Sequence, residues 1–190
     1  PLLQAMHNEE LLDAYRTSLK AFYGVLKSAD KYLRFVFLTG VTKFSQVSVF
    51  SDLNQLNDIS MDYDSGTLCG ITHEELVQNF SPEIEALAKV NGLTKEETIE
   101  QMTRQYDGYH FHPYAEGVYN PFSVLNAFYK KEFGNYWFQT GTPTFLVKSL
   151  QQADYDLRTL MDGVETPAIN FTEYRAEANN PIPLIYQSGY

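Results

Sequence analysis

Asp107-Gly108-Tyr109-His110-Phe111-His112 places one carboxylate and two imidazoles in a short span. On an extended strand His110 and His112 would point to one face, as paired metal ligands do. A metal-dependent hydrolase built on Asp107, His110 and His112 therefore has to be weighed, but no second Cys, His or acidic cluster with ligand spacing accompanies them. Histidines among Tyr and Phe more often hydrogen-bond at the edge of a core, so the expectation is no metal site. Asp62 and Asp64 before Ser65-Gly66 begin like a calcium loop, yet the remaining ligands and the distal Glu are lacking, which predicts a solvated turn. Cys69 has no activating partner in sequence and reads as packing. Thr39, Thr42 and Lys43 follow an apolar run, at the kind of strand end where open α/β sheets present ligand-binding groups. No GxxxxGK[ST] phosphate loop occurs in the 190 residues.

These groups have to be held by a folded chain, and the composition allows one. At 44% hydrophobic and 20% charged, with 13 Phe, 14 Tyr and 1 Trp, the sequence has ample material for a core and none of the marks of disorder, collagen or a disulfide scaffold. A single cysteine forms no intramolecular bridge and makes a reducing, cytoplasmic setting the default. The net charge of −10 sets the overall field against nucleic acid and anionic membrane, so any nucleic-acid contact is expected through other domains. No apolar stretch long enough to span a bilayer and no signal peptide is visible. The sequence does not begin with Met and stops at Tyr190 after an apolar run, which gives the expectation of a segment cut from a longer chain.

Asn8 before Glu9 and Glu10 starts a long amphipathic helix whose apolar face runs through Leu11, Leu12, Tyr15, Leu19, Phe22, Tyr23 and Leu26. Residues 32–40, YLRFVFLTG, form a continuous apolar run stopped by Thr-Gly, the pattern of a buried parallel strand centred on residues 35–38. Ile59-Ser60-Met61 is a weaker strand candidate. Thr72 with Glu75, Ser81 with Pro82, and Thr94 with Glu97 mark three helix starts, with Asn91-Gly92 as a stop. Residues 71–106 should therefore be a helical subdomain. Asn120-Pro121 opens a helix with Phe122, Leu125, Phe128 and Tyr129 as its apolar positions, and Thr142-Pro143 opens another through Phe145, Leu146 and Leu150. The polar stretch 162–181 should be loops around short elements.

Several segments together, in order, resemble the AAA-ATPase-like family of bacterial proteins, predicted P-loop ATPases of the AAA+/STAND type that commonly carry a PD-(D/E)XK nuclease-like domain downstream. They are Pro1-Leu2-Leu3, residues 34–44 (RFVFLTGVTKF), Phe50-Ser51-Asp52-Leu53-Asn54, Tyr106-Asp107-Gly108-Tyr109-His110-Phe111, Tyr119-Asn120-Pro121-Phe122-Ser123, Tyr136-Trp137 with Thr140-Gly141-Thr142-Pro143, and residues 186–190. The resemblance implies an α/β fragment, mostly helical: the C-terminal part of a P-loop ATPase core with a sensor-1-like buried strand (1–69), a helical lid (70–134), and a truncated, GxP-containing, winged-helix-like region (135–190). It implies that Thr39, Thr42 and Lys43 act as sensor residues toward a γ-phosphate in the parent only, and that Gly141 and Pro143 lean on the nucleotide base. ATP and Mg would belong to the full-length parent and neither to this fragment, because the family's P-loop and magnesium-site strand precede the Pro-Leu-Leu that opens the chain. The partners implied are the rest of that parent, its N-terminal P-loop part and its C-terminal nuclease-like domain.

Two functions follow from this. In the first, the parent is a nucleotide-dependent switch and the fragment alone hydrolyses no ATP. In the second, the ATPase site has decayed and the region survives as an interaction scaffold, with Tyr109, Phe111, Tyr119, Tyr136 and Trp137 packing domains or partners together. The metal-dependent hydrolase ranks third.

Overall fold

The computed structural model describes residues 8–40, 56–139, 147, 150–151, 156–165 and 182–187. The chain divides into two compact units, Pro1–Asp58 with Tyr155–Pro183, and Ile59–Asp154 with Leu184–Tyr190. Among the described residues the protein is mostly helical and contains no strand; two isolated antiparallel bridges, Ile71 to Tyr119 and Tyr109 to Val118, are its only β pairing.

The first unit is built on α1, Glu9–Ser28. Asn8 caps it by accepting the Leu11 amide at 3.0 Å, and Glu9 and Glu10 lie at the positive end of the helix dipole. Of its predicted apolar face only Leu12 is buried; Phe22 is 71% exposed and Val25 58%. After a 3₁₀ turn at Asp30–Tyr32 the chain runs through residues 33–40 without regular secondary structure. This overturns the buried strand expected at residues 35–38: Phe35 is 82% exposed and no ladder forms. An apolar run becomes a strand only when neighbours take up its amides and carbonyls, and none of the described residues does so. The rings of Phe35 and Phe37, two residues apart, stack on each other at 6.4 Å. Near the unit's other end Asp156 caps the 3₁₀ segment Leu157–Asp162 and chelates Arg158, which lowers the Asp156 carboxyl's pKa.

The second unit opens with a turn at residues 59–66. Ile59 to Met61 belong to that turn, with Asp62 N donating to Ile59 O at 3.2 Å, so the second strand candidate is also corrected; polar neighbours on both sides favour the turn. Ser65 Oγ donates to Asp62 Oδ2, closing the solvated turn that replaces a calcium loop. Four helices follow: α2 His73–Asn79, α3 Ser81–Asn91, α4 Lys95–Tyr106 and α5 Pro121–Lys130. Both predicted capping boxes are present. Thr72 and Glu75 exchange hydrogen bonds at 3.1 and 2.9 Å, as do Thr94 and Glu97 at 3.1 and 2.8 Å. The Thr94 amide and hydroxyl hold the Glu97 carboxyl below its ordinary pKa. α3 begins one residue earlier than expected, on Ser81, whose hydroxyl accepts from Lys95 Nζ at 2.6 Å. It stops where Gly92 takes the left-handed conformation, φ 70°.

The core of this unit joins Leu76, Ile84, Leu87, Met102, Tyr106, Val124, Ala127 and Phe128 from the four helices with Tyr119 and Tyr136 from the connections. α5 buries only one of its predicted apolar positions, Phe128. Val124, Ala127 and Phe128 are buried, while Phe122, Leu125 and Tyr129 are exposed. The helix is apolar on two sides, so periodicity alone does not choose between them; packing against α3 and α4 does.

Tyr106 fastens the chain beyond α5. Its hydroxyl accepts from Gly134 N at 3.0 Å and donates to Gly134 O at 3.2 Å, and burial raises its pKa to about 12 from 10.0. Between those values the folded chain keeps a proton that the unfolded chain has lost, so stability must fall as pH rises from 10.0 towards 12. The ceiling is roughly 3 kcal/mol, at about 1.4 kcal/mol per pH unit. Denaturant titrations in this alkaline window should show the loss, and Tyr106→Phe should remove the Tyr106 share of it, leaving that of the other buried tyrosines Tyr119 and Tyr136.

Candidate functional site

The segments that carry the family resemblance in the second unit meet each other. Tyr109 and Val118 exchange backbone hydrogen bonds at 3.3 and 3.0 Å, Ile71 and Tyr119 do so at 3.2 and 2.8 Å, and Asn120 N donates to Tyr106 O at 2.9 Å. Asn120 has two roles: its Oδ1 caps α5 by accepting from Ser123 N, while its Nδ2 donates to Tyr109 Oη at 3.0 Å. Asp107-Gly108-Tyr109-His110 is thereby tied to Tyr119-Asn120-Pro121 at the start of α5.

The titratable groups of this junction are placed by the same backbone. Asp107 Oδ1 accepts from Gly108 N at 2.7 Å. It and His110 Nε2 each lie 3.0 Å from where a Cβ on Gly117 would stand, so the glycine lets a carboxylate and an imidazole approach its α-carbon together. His112 points elsewhere: its Nδ1 accepts from Tyr114 N at 3.2 Å, and its ring meets Tyr63 edge-on at 5.5 Å. Among the described residues no three His, Cys, Asp or Glu side chains come together in a way that could hold a metal ion. Asp107, His110 and His112 are therefore not assembled as the hydrolase reading requires.

Deeper in, Tyr119 is fully buried. Its hydroxyl lies 2.9 Å from His73 Nδ1 and 2.6 Å from Thr103 Oγ1; burial raises its pKa, opposed by the Thr103 hydrogen bond. Tyr119 and Tyr136 are core residues, which removes both from the aromatic set that a scaffold surface was expected to offer. Tyr109, Phe111 and Trp137 are partly exposed.

Gly70 marks a close approach that sequence inspection passed over. A Cβ built there would stand 2.2 Å from Val118 Cγ2, and Val118 is itself fully buried. Gly70→Ala should therefore destabilise the unit by about 1–3 kcal/mol through overpacking. Gly92→Ala, with open space but a φ of 70°, should instead cost about 1 kcal/mol through backbone strain alone. Denaturation midpoints of the two variants compare these costs.

Of the predicted sensor residues, Thr39 is described and stands exposed. Thr42 and Lys43, and Gly141 and Pro143, lie outside the described residues. The amides of Glu75, Glu97 and Ser123 at three helix N-termini are occupied by the caps Thr72, Thr94 and Asn120, and the sequence supplies no phosphate loop. No helix among the described residues is long and apolar enough to cross a membrane.

Residues 1–50 match the family model described as predicted AAA-ATPase, and the resemblance to the AAA-ATPase-like family holds over that stretch, which includes Thr39, Thr42 and Lys43. The whole chain is 36% identical to an uncharacterised protein of the vnfD 5′ region of Azotobacter chroococcum mcd 1, over 190 residues. It spans about a third of that protein's length, 34%. No solved structure matches the chain.

Proposed function

We propose that this chain is the sensor and lid portion of a longer nucleotide-dependent switch. ATP and Mg are bound by segments that precede it, Thr39, Thr42 and Lys43 report on the γ-phosphate, and the helical unit passes the state on to a downstream nuclease-like effector. The family match over residues 1–50 carries this reading, because the three sensor candidates fall inside it. In this arrangement residues 1–69 complete the ATPase core. Residues 70–134 act as the lid, and 135–190 as a winged-helix-like region in which Gly141 and Pro143 approach the base. The setting is cytoplasmic, and nucleic acid is met through the other domains.

A second reading has its own observation. Phe22, Val25 and Phe35 in the first unit, and Phe122, Leu125 and Tyr129 in the second, are large apolar side chains left exposed, as an interaction scaffold with a decayed ATPase site would have them. Calorimetric titration of the 190-residue chain with Mg-ATP is the test of its dependence on the longer protein. A single exposed lysine supplies about 1 kcal/mol of screened attraction, against the ~8 kcal/mol that micromolar affinity requires. No saturable binding below millimolar concentration is therefore expected, and micromolar binding would defeat the assignment of nucleotide binding to preceding segments.

A further inference from the structure

Three side chains from three separate elements meet at the Tyr119 hydroxyl, and counting their hydrogens fixes the direction of the bonds. Thr103 Oγ1 lies 2.9 Å from Ile99 O, and a carbonyl only accepts, so the one Thr103 hydroxyl hydrogen belongs to that contact. Tyr119 must then donate its own hydrogen to Thr103 Oγ1 at 2.6 Å. That leaves the Tyr119 oxygen as an acceptor, and the group 2.9 Å away on its other side, His73 Nδ1, has to be the donor. The reverse order would place two oxygens, Thr103 Oγ1 and Ile99 O, 2.9 Å apart with no hydrogen between them, forfeiting one bond of three beside a fully buried phenol.

We propose that Thr103 and Tyr119 form a directional relay that locks His73 in its Nδ1–H tautomer and presents Nε2 as an oriented, unprotonated hydrogen-bond acceptor on the surface of the second unit. His73 is exposed, and its Nε2 makes no hydrogen bond among the described residues. Such backing of one ring nitrogen by a buried partner is how proteins preset the other for a proton-bearing ligand group. Tyr119 is in turn held through its backbone to Ile71, two residues before His73, so the acceptor's placement is set from both ends. The inference concerns the second unit alone and stands whether or not the switch reading holds.

Long-range proton–nitrogen correlation spectra of the histidine-labelled 190-residue chain, recorded at about pH 8 where imidazole is neutral, read the tautomer directly. The wild type should show His73 protonated at Nδ1 and unprotonated at Nε2. Thr103→Val, which keeps the shape of the side chain and does not touch His73, removes the acceptor of the Tyr119 hydrogen. The phenol should then turn to donate to Nδ1, and His73 should switch to the Nε2–H tautomer. Tyr119→Phe removes the acceptor for Nδ1–H and should release His73 to a tautomer mixture, a second readout should the valine variant fold poorly. An Nε2–H tautomer in the wild type, or an Nδ1–H tautomer unchanged in the folded variants, would overturn the relay.

Discussion

Tyr119→Ala should cost the second unit about 3–5 kcal/mol, the range for emptying a fully buried aromatic site. Tyr119 has no exposed surface, belongs to the core cluster, and links Ile71 through its backbone to His73 and Thr103 through its hydroxyl. Truncation leaves a cavity in the core cluster to which Tyr119 belongs and also removes the hydroxyl's hydrogen bonds to Thr103 and His73. For a unit of this size each kcal/mol corresponds to roughly 4–8 °C, so the melting temperature should drop by more than about 12 °C. Tyr119→Phe separates the two contributions. It keeps the ring and loses only the hydrogen bonds, at about 1–2 kcal/mol. Thermal and denaturant unfolding followed by circular dichroism reads both variants. Equal losses for Ala and Phe would mean that the hydroxyl, rather than the packed ring, holds the junction.

What was legible beforehand was local. The two capping boxes, the Gly92 stop, the Asn8 cap and the Asn120-Pro121 start each depend on residues within a few positions of one another, and each is present as read. Residues 35–38 show the limit of such reading. Their composition suits a strand, but a strand is a pairing, and its partners are not specified by the segment itself. The inward face of α5 was legible only in part for a related reason: Phe128 is buried as read, but the exposed Phe122, Leu125 and Tyr129 are as apolar as the buried Val124 and Ala127. The junction of Tyr109, Val118, Tyr119, Asn120 and Ile71 joins segments far apart in the chain, Ile71 pairing with Tyr119 and His73 meeting the same tyrosine across 46 residues, and nothing in either segment announces the other. Gly70 carried a faint signal, a glycine directly before an apolar residue and a capping threonine, which a search for close backbone approach could have used. The sensor role proposed for Thr39, Thr42 and Lys43 comes from the family resemblance, since the three form no motif specific enough to stand alone.

The second large effect is expected in the longer protein. A residue that contacts the γ-phosphate in the transition state, and adds little to nucleotide binding in the ground state, betrays itself by lowering turnover while leaving affinity in place. Lys43→Ala should behave this way, reducing steady-state ATP hydrolysis at least tenfold, which corresponds to about 1.4 kcal/mol of lost transition-state stabilisation. Its Mg-ATP dissociation constant should stay within roughly threefold of the wild-type value, because in the proposed switch a P-loop and metal held by preceding segments would supply most of the binding. Thr39→Ala should follow the same pattern, whereas Tyr119→Phe, in the other unit, serves as the control for a change in stability alone.

The most direct test of the switch proposal is the ratio of turnover numbers for wild type and Lys43→Ala, measured in the longer protein at saturating Mg-ATP with the dissociation constants determined on the same preparations. A ratio of ten or more at nearly unchanged affinity is the predicted result. Equal turnover in the two proteins would contradict the sensor assignment and leave the interaction scaffold as the better account of the chain.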